Sequence, residues 1–397
     1  MTLIERRASS RPLRWLLGST AAAVTAQGIV AAAAPLLAAS LTRDPVAVSL
    51  VAASAWLPWL LIGLPAGALV ERWVKRRVMV STDAVRGLVL LVLTVVILWG
   101  HAAIWSLALA VFLVGVGSCF FDPAAQSEIP ELVGRDPKAV ADANASYWTL
   151  DALARTLVGS SAGAIAFGLA QWAPFAASAF LLVVSAALLT RLPSRPVPAR
   201  APGSRDLRAE LAGGLRELWS STPLRRNALL MATYNVWWNI VFATLILLLL
   251  HRFQISSWMW GALVSSMAVG GVAGGAWAKR NHTVSVERAY GLGFLVQAAG
   301  WLAVLVAPMW WLAFPGMVAV GVASTAVSAI GGAGIQLATP EGMLARVTSG
   351  IRLLGIGAAA VGAGLSGPIA AIAGLSAPTI TAAAALVVAS VWALRQG

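Results

Sequence analysis

An all-α integral membrane protein with twelve transmembrane helices in two six-helix halves is the fold this sequence predicts. Three observations carry the prediction: an apolar composition, twelve stretches long enough to span a bilayer, and a layout that repeats after about 203 residues. Hydrophobic residues make up 59% of the 397 and charged residues only 11%. The mean hydropathy is +0.82. A water-soluble chain of this size needs more polar surface than that composition offers. A spanning helix needs about 20 apolar residues.

In chain order the spans are read at 15–40, 46–70, 78–99, 103–122, 140–168, 172–192, 224–250, 256–278, 288–307, 309–337, 343–372 and 374–394. The first has a basic flank (Arg6, Arg7, Arg11, Arg14), as a signal peptide would. Its apolar run of about 25 residues is too long for a signal-peptide core, so an uncleaved first helix is expected. The fourth span ends at Asp122 in this reading, with Pro123 just beyond. The fifth and eleventh open alike, at Asp136-Pro137 and Thr339-Pro340, each a side-chain cap followed by proline in the first turn. Gly159 then corresponds to Gly362, in stretches of Gly, Ala and Ser that let helices approach closely in lipid.

Charge orients the bundle. Of the 28 Lys and Arg residues, 24 fall on the side of the two termini. Only Arg43 and Arg252 lie on the other side, and Arg86 and Arg155 fall inside spans. Positive loops stay cytoplasmic, so both termini are expected inside, in the plasma (inner) membrane. The net charge of +13 then reflects topology and contact with anionic membrane lipids. It is spread over many short loops and does not form a nucleic-acid-binding face.

The organisation expected is an N-terminal bundle 1–192, a linker 193–222 and a C-terminal bundle 223–397. Pro193, Pro196, Pro198 and Pro202 break the chain in the linker. Leu207, Leu211, Leu215 and Leu218 then recur at helical spacing, predicting an amphipathic helix at the cytoplasmic interface. A parallel duplication around a midplane cavity is a known transporter plan.

At the turn after the second span the chain reads Gly63-Leu-Pro-Ala-Gly67-Ala-Leu69-Val-Glu71-Arg72-Trp-Val-Lys75-Arg76-Arg77, followed by Asp83 and Arg86. This resembles the signature loop between helices 2 and 3 of the major facilitator superfamily. Pro130-Glu-Leu-Val133 and Gly214-Leu-Arg-Glu-Leu218 look like its siderophore and drug exporter branch. The resemblance implies the major facilitator fold, alternating access and coupling to an ion gradient. It also implies gating by this loop, with Glu71 facing the positive end of the eleventh helix at Thr339–Gly342. Three departures stand out: Glu71 replaces the usual aspartate, the fifth helix lacks a Gly-Pro pair, and Gln27 stands where many proton-coupled relatives carry an acid.

From the residues themselves, Gly63 and Gly67 share a face and are expected to pack closely, while Arg72, Arg76 and Arg77 hold the loop at the lipid surface. Ionisable groups inside spans are few and therefore informative. Asp83 and Arg86 are spaced to pair on the third helix, as are Asp151 and Arg155 on the fifth. The bland reading of these pairs is charge neutralisation near the interface. The sharper one makes Asp151, with Arg155 and Asp122, a proton-coupling group. Substrate contacts are expected from Gln27, Tyr234, Asn235, Trp238, Asn239 and Ser328. Most of the 18 tryptophans sit at span ends, where interfacial belts account for them, but Trp237 and Trp238 do not.

No cofactor is expected. One cysteine, Cys119, and three histidines in separate loops, His101, His251 and His282, make no metal cluster. No nucleophile–base pair occurs at workable spacing, nor an ATP-binding loop, so neither an enzyme nor an ATP-driven pump is expected. The reading is a monomeric exporter of a small, largely lipophilic organic compound in exchange for protons. Alternatives are a siderophore or peptide exporter and, from another class, a membrane sensor or assembly partner that keeps the fold without transporting.

Overall fold

The computed structural model describes residues 3–70, 72–134, 137–194, 216–281, 283–339 and 344–396. Among these the chain is helical throughout its apolar stretches. Hydrocarbon has no water to bond a bare peptide group, so a spanning segment must satisfy its backbone internally. The helices are α1 Leu3–Leu41, α2 Pro45–Val70, α3 Lys75–Leu98 and α4 Ile104–Val133. Then come α5, in three parts (Pro137–Ala152, Leu153–Gly159, Ser160–Leu169), α6 Ala173–Leu189 and α7 Thr222–Phe253. The rest are α8 Ser257–Arg280, α9 Val286–Val306, α10 Phe314–Ala338, α11 Leu344–Ala373 and α12 Ala377–Leu394. Eleven are long and apolar enough to cross a membrane; α6, at 17 residues, is a shorter apolar helix. This is a multi-pass membrane protein of the all-α class predicted.

Two helices depart from expectation. α4 does not stop at Asp122 but runs to Val133, with Pro123 and Pro130 inside it. It ends where Gly134 takes a positive φ of 81°, a conformation costly for other residues. α5 is interrupted by one π-helical stretch, Leu153–Gly159. The Thr339 hydroxyl donates to the Ile335 carbonyl of α10 at 2.6 Å. Residues 340–343 lie outside the described residues, as do Asp136 and the linker leucines 207, 211 and 215. Leu218 is described and fully buried, packed with Leu224, Ala228, Ile335, Val347 and Ile351.

Helix pairing repeats between the two sets of six. α1 packs on α5 and α6, α2 on α4, and α3 on α4 and α6. α7 packs on α11 and α12, α8 on α10, and α9 on α10 and α12 in the same way. The pairings depend on glycine. A Cβ at Gly159 would lie 2.8 Å from both the Gly28 Cα and the Thr25 carbonyl oxygen of α1. A Cβ at Gly362 would collide with the Val236 carbonyl of α7. The correspondence of these glycines, read from sequence, thus has one physical meaning: each lets a helix backbone lie against its inner neighbour. Gly63 and Gly67 do not behave so. A Cβ at Gly67 would meet nothing within 4 Å, and at Gly63 only Trp59 of the same helix.

Outside, α3, α6, α9 and α12 each carry a row of exposed apolar side chains. Leu88, Leu91 and Val92 form one, Phe180 and Val183 another, Leu292, Leu295 and Val296 a third, and Val387, Val388 and Val391 the fourth. These rows suit lipid tails.

The glycine contacts give a direct test. Gly159→Val and Gly362→Val should each lower unfolding free energy by about 1–3 kcal/mol through overpacking. Gly364→Val, where a Cβ meets nothing within 4 Å, should leave it near the parent. Melting curves of the purified variants decide; equal melting of all three would remove the close approaches from the packing account.

Candidate functional site

Four structural groups hold the residues singled out above. The first is Asp83–Arg86 on α3. Both side chains are fully buried and paired. The Ser185 hydroxyl of α6 donates to Asp83 Oδ2 at 2.5 Å, and Arg86 Nη1 donates to Ser118 Oγ of α4 at 3.2 Å. The guanidinium also lies over the Phe121 ring, 4.7 Å from its centroid. Each of these partners is in the first six helices, so the pair ties α3 to α4 and α6. That is tighter than neutralisation near an interface, and the contacts are those of a brace within one half.

The second group centres on Arg155 in the π-helical stretch of α5. Arg155 grips Asp151 with two nitrogens, Nη2 to Oδ1 at 2.8 Å and Nε to Oδ2 at 3.3 Å. Its Nη1 donates to Gln27 Oε1 on α1 at 2.5 Å. Asp122, now in the interior of α4, acts electrostatically on the same arginine. Arg155 keeps 38% of its side-chain surface exposed and Asp151 16%. Of the two ion pairs, this is the one with access to its surroundings. π-turns are uncommon and recur at functional positions. Here the turn coincides with the closest approach of α1, where a Cβ at Gly28 would collide with the Arg155 carbonyl. Gln27, expected to meet substrate, gives its amide oxygen to Arg155, while its buried amide nitrogen has no hydrogen-bonding partner in the protein.

The third group is aromatic and lies on α7. Tyr234 is buried and stacks on Phe294 of α9, centroids 6.2 Å apart. Trp238 stacks on Phe242 at 4.5 Å and meets Trp301 of α9 edge-on at 6.5 Å. Asn235 donates to the Met231 carbonyl at 3.0 Å, and Asn239 donates to the Asn235 carbonyl at 2.9 Å. Asn239 is buried. Each amide group thus gives one of its two N–H donors to its own helix. Ser328 of α10 is exposed.

The fourth group was missed in the sequence because its members are ordinary small residues. It seals the two sets of six helices together through α2 on α11 and α5 on α8. A Cβ at Gly367 would meet Pro45 and Ser49, and one at Gly168 would meet Ser257. Ser161 and Ser265 share a 2.8 Å hydrogen bond. The Trp260 indole N–H of α8 donates to the Ala32 carbonyl of α1 at 3.1 Å. These contacts lie at mid-depth or toward the loops 42–44, 170–172 and 254–256, opposite the termini. Toward the terminal end, Gly67 has open space around it. Lys75 donates there to the Ser127 carbonyl at 2.9 Å, joining α3 to α4. Arg72 is exposed and Arg76 half-buried in the same turn, while Glu71 lies outside the described residues.

Residues 9–396 match the family model described as transmembrane secretion effector. Over 228 residues the chain is 30% identical to the multidrug efflux pump Tap of Mycolicibacterium fortuitum, covering 55% of this chain and 54% of that pump. The alignment thus spans about half the length of that relative. Solved transporters share the fold at low identity. A bacterial homologue of the human lysosomal transporter Spinster, inward-facing and unoccupied, superposes with a TM-score of 0.71 at 17% identity over 98% of this chain and 92% of its own. The human organic anion transporter MFSD10 gives 0.70 at 17% over 97% and 99%. A point mutant of the nucleoside transporter NupG gives 0.75 at 9% over 97% and 98%.

Two outcomes follow from the geometry. Asp83→Asn strands Arg86 in a dry site, a change that costs about 3–5 kcal/mol. The double variant Asp83→Asn, Arg86→Met should melt higher than that single variant; additive losses in a double-mutant cycle would mean the two are not coupled. At the seam, Trp260→Phe keeps the ring but removes one hydrogen bond worth about 0.5–1.5 kcal/mol. A cysteine introduced at Leu60, beside Gly357 in the seam, should then react several-fold faster with a maleimide added on the side away from the termini. Unchanged labelling would remove Trp260 from the latch.

Proposed function

Because the chain belongs to the transmembrane secretion effector family of the major facilitator superfamily, we propose that it is a secondary active exporter of a small organic compound. It is a transporter by family and not an enzyme; the export direction, the lipophilic substrate and the proton coupling are the proposal. The observation that carries it is the contrast between the two sets of helices. The first six hold one partly exposed ion-pair network, Asp151–Arg155–Gln27. The last six hold aromatic rings and amides on α7. A charged element that can gain or lose a proton, set apart from an uncharged aromatic surface, suits exchange of protons for a lipophilic compound. Similarity to a multidrug efflux pump over half the chain favours the same substrate class.

In this reading the positive loops keep the termini cytoplasmic. The seal between the halves then lies on the external side, and the molecule is inward-facing. Substrate enters from the cytoplasm or inner leaflet. Asp151 is the proton carrier. When it is ionised, its carboxylate holds Arg155 through two hydrogen bonds. When it takes a proton, that charge pairing is lost and Arg155 is left with Gln27 and the nearby Asp122. An ion pair at membrane depth that loses one partner must find another, since an unpaired charge there is costly. Reorganisation of Arg155 pulls on Gln27 and so on α1, the helix that also receives Trp260 at the seam. Protonation and the external latch thereby share one helix.

Inverted membrane vesicles loaded by a panel of lipophilic dyes test this. The parent should accumulate at least one dye when a proton gradient is imposed. Asp151→Asn should abolish gradient-driven accumulation by about tenfold or more, yet keep dye-for-dye exchange, because the binding surface is intact. Loss of both activities would make Asp151 a structural residue; retention of driven accumulation would remove it from coupling.

A further inference from the structure

Gln297 sits on α9 in a position for which packing alone offers no reason. It is fully buried, and neither its amide nitrogen nor its oxygen has a hydrogen-bonding partner in the protein. Trp301, one turn on, is fully buried with its indole N–H unpaired. Trp238 of α7 has a buried, unpaired N–H as well. Buried polar groups without partners are strongly disfavoured, and each calls for an explanation. A leucine at 297 would satisfy the hydrocarbon around it at no such cost.

Gln297 shares a helix face with the residues of α9 that meet α7. On α9, Gly293 and Gly300 abut Val327 and Val320 of α10, while Gly291 abuts Leu394 of α12. Residues 290, 294, 297 and 301 form a separate stripe at helical spacing. At Phe294 and Trp301 that stripe meets α7, since Phe294 stacks on Tyr234 and Trp301 meets Trp238, while Tyr290 lies against Gly331 of α10. The space between α7 and α9 is therefore walled by rings and supplied with three N–H-bearing groups, the Tyr234 hydroxyl and one carbonyl oxygen. None of the side chains named here carries a charge. Of Gln297, Trp301 and Trp238, only Trp238 is half-buried.

We propose that this α7–α9 pocket receives the uncharged, acceptor-bearing end of the substrate, with Gln297, Trp301 and Trp238 donating to a carbonyl or similar oxygen. The inference rests on the exporter reading and narrows it, to neutral planar compounds carrying an acceptor. Rings that stack on Trp238 and Phe242 supply affinity, and the donors supply orientation. A group that leaves such buried donors unpaired is rejected, which is how a polar pocket discriminates between near-isosteres.

The test is equilibrium binding to the purified full-length protein in lipid nanodiscs, with no gradient. The probes are acridone, a neutral tricycle with one carbonyl, and 9,10-dihydroacridine, which lacks it. The parent should bind acridone about tenfold more tightly. Gln297→Leu should erase that preference, leave 9,10-dihydroacridine binding unchanged, and melt at or above the parent temperature. Trp301→Phe, which keeps the ring, should weaken acridone binding several-fold. A lower melting temperature of Gln297→Leu with the preference intact would make the site a structural one filled by internal water, and would overturn the inference. So would a parent that binds the two probes equally or binds neither. Because no gradient is involved, these outcomes are independent of whether Asp151 couples transport to protons.

Discussion

In hydrocarbon, helices gain little from hiding apolar surface, because lipid tails are as apolar as the side chains themselves. What holds this bundle is close backbone approach, and most of the structure follows from that constraint. Glycine is placed where two helix backbones meet: Gly159 on Gly28, Gly163 on Ile29, Gly270 on Val318, Gly321 on Met267, Gly362 on Val236. Such contacts have short range. They hold a pair of helices rigidly or not at all, so the molecule divides into stiff groups that can separate along a seam without deforming inside. The seam itself is built from the same small residues, with Ser161–Ser265 and Trp260–Ala32 as its named hydrogen bonds.

The two sets of six helices share a pairing scheme but not a chemistry. Arg86 lies eleven residues past the first residue of α3, Lys75, and Gln297 eleven past the first residue of α9, Val286. At this common depth one half has a sealed ion pair, bonded further by serines of α4 and α6. The other has a neutral amide without a protein partner. A buried pair of that kind fixes a conformation more than it adds stability. The N-terminal half is thus stiffened at its core, while the C-terminal half keeps donors and an acceptor unspent among rings. A division of labour, with one half carrying charge and the other recognition, is consistent with that difference.

Much of the fold was legible because spanning length, loop charge and the repeat each report on a single helix or loop. The ion pairs were legible for the same reason: Asp83–Arg86 and Asp151–Arg155 are separated by three and four residues, and helical spacing finds them. What escaped was long-range or irregular. Gln27 and Arg155 are 128 residues apart, and Ala32 and Trp260 are 228 apart. Nothing local marks such partners. Asp122 was read as a helix end because the apolar run stops there and a proline follows, but a neighbouring bundle can re-satisfy the carbonyl a proline frees. The π-helical stretch at Leu153–Gly159 breaks the 3.6-residue period over only seven residues, too briefly for periodicity to register. Asn235 and Asn239 each give one N–H to a carbonyl one turn earlier, a bond that sequence spacing does not announce.

One further consequence lies in how the aromatic residues connect. Trp301 meets Trp238 at 6.5 Å, Trp238 stacks on Phe242 at 4.5 Å, and Phe242 leans on Trp260 at 5.8 Å. Trp260 in turn holds Ala32 on α1. The row crosses from α9 through α7 and α8 to a helix of the other half. Protein interiors are packed too densely for a ring to shift without its neighbours shifting. A planar compound that inserts beside Trp238 must therefore be accommodated by the rings that hold the latch, and opening the latch relaxes the rings that line the pocket. Coupling of this kind is reciprocal by thermodynamic necessity. On the other side, α1 also carries Gln27, bonded to the arginine of the exposed ion pair. Two elements of different chemistry, one ionic and one aromatic, thus converge on a single helix between Gln27 and Ala32, little more than one helical turn apart.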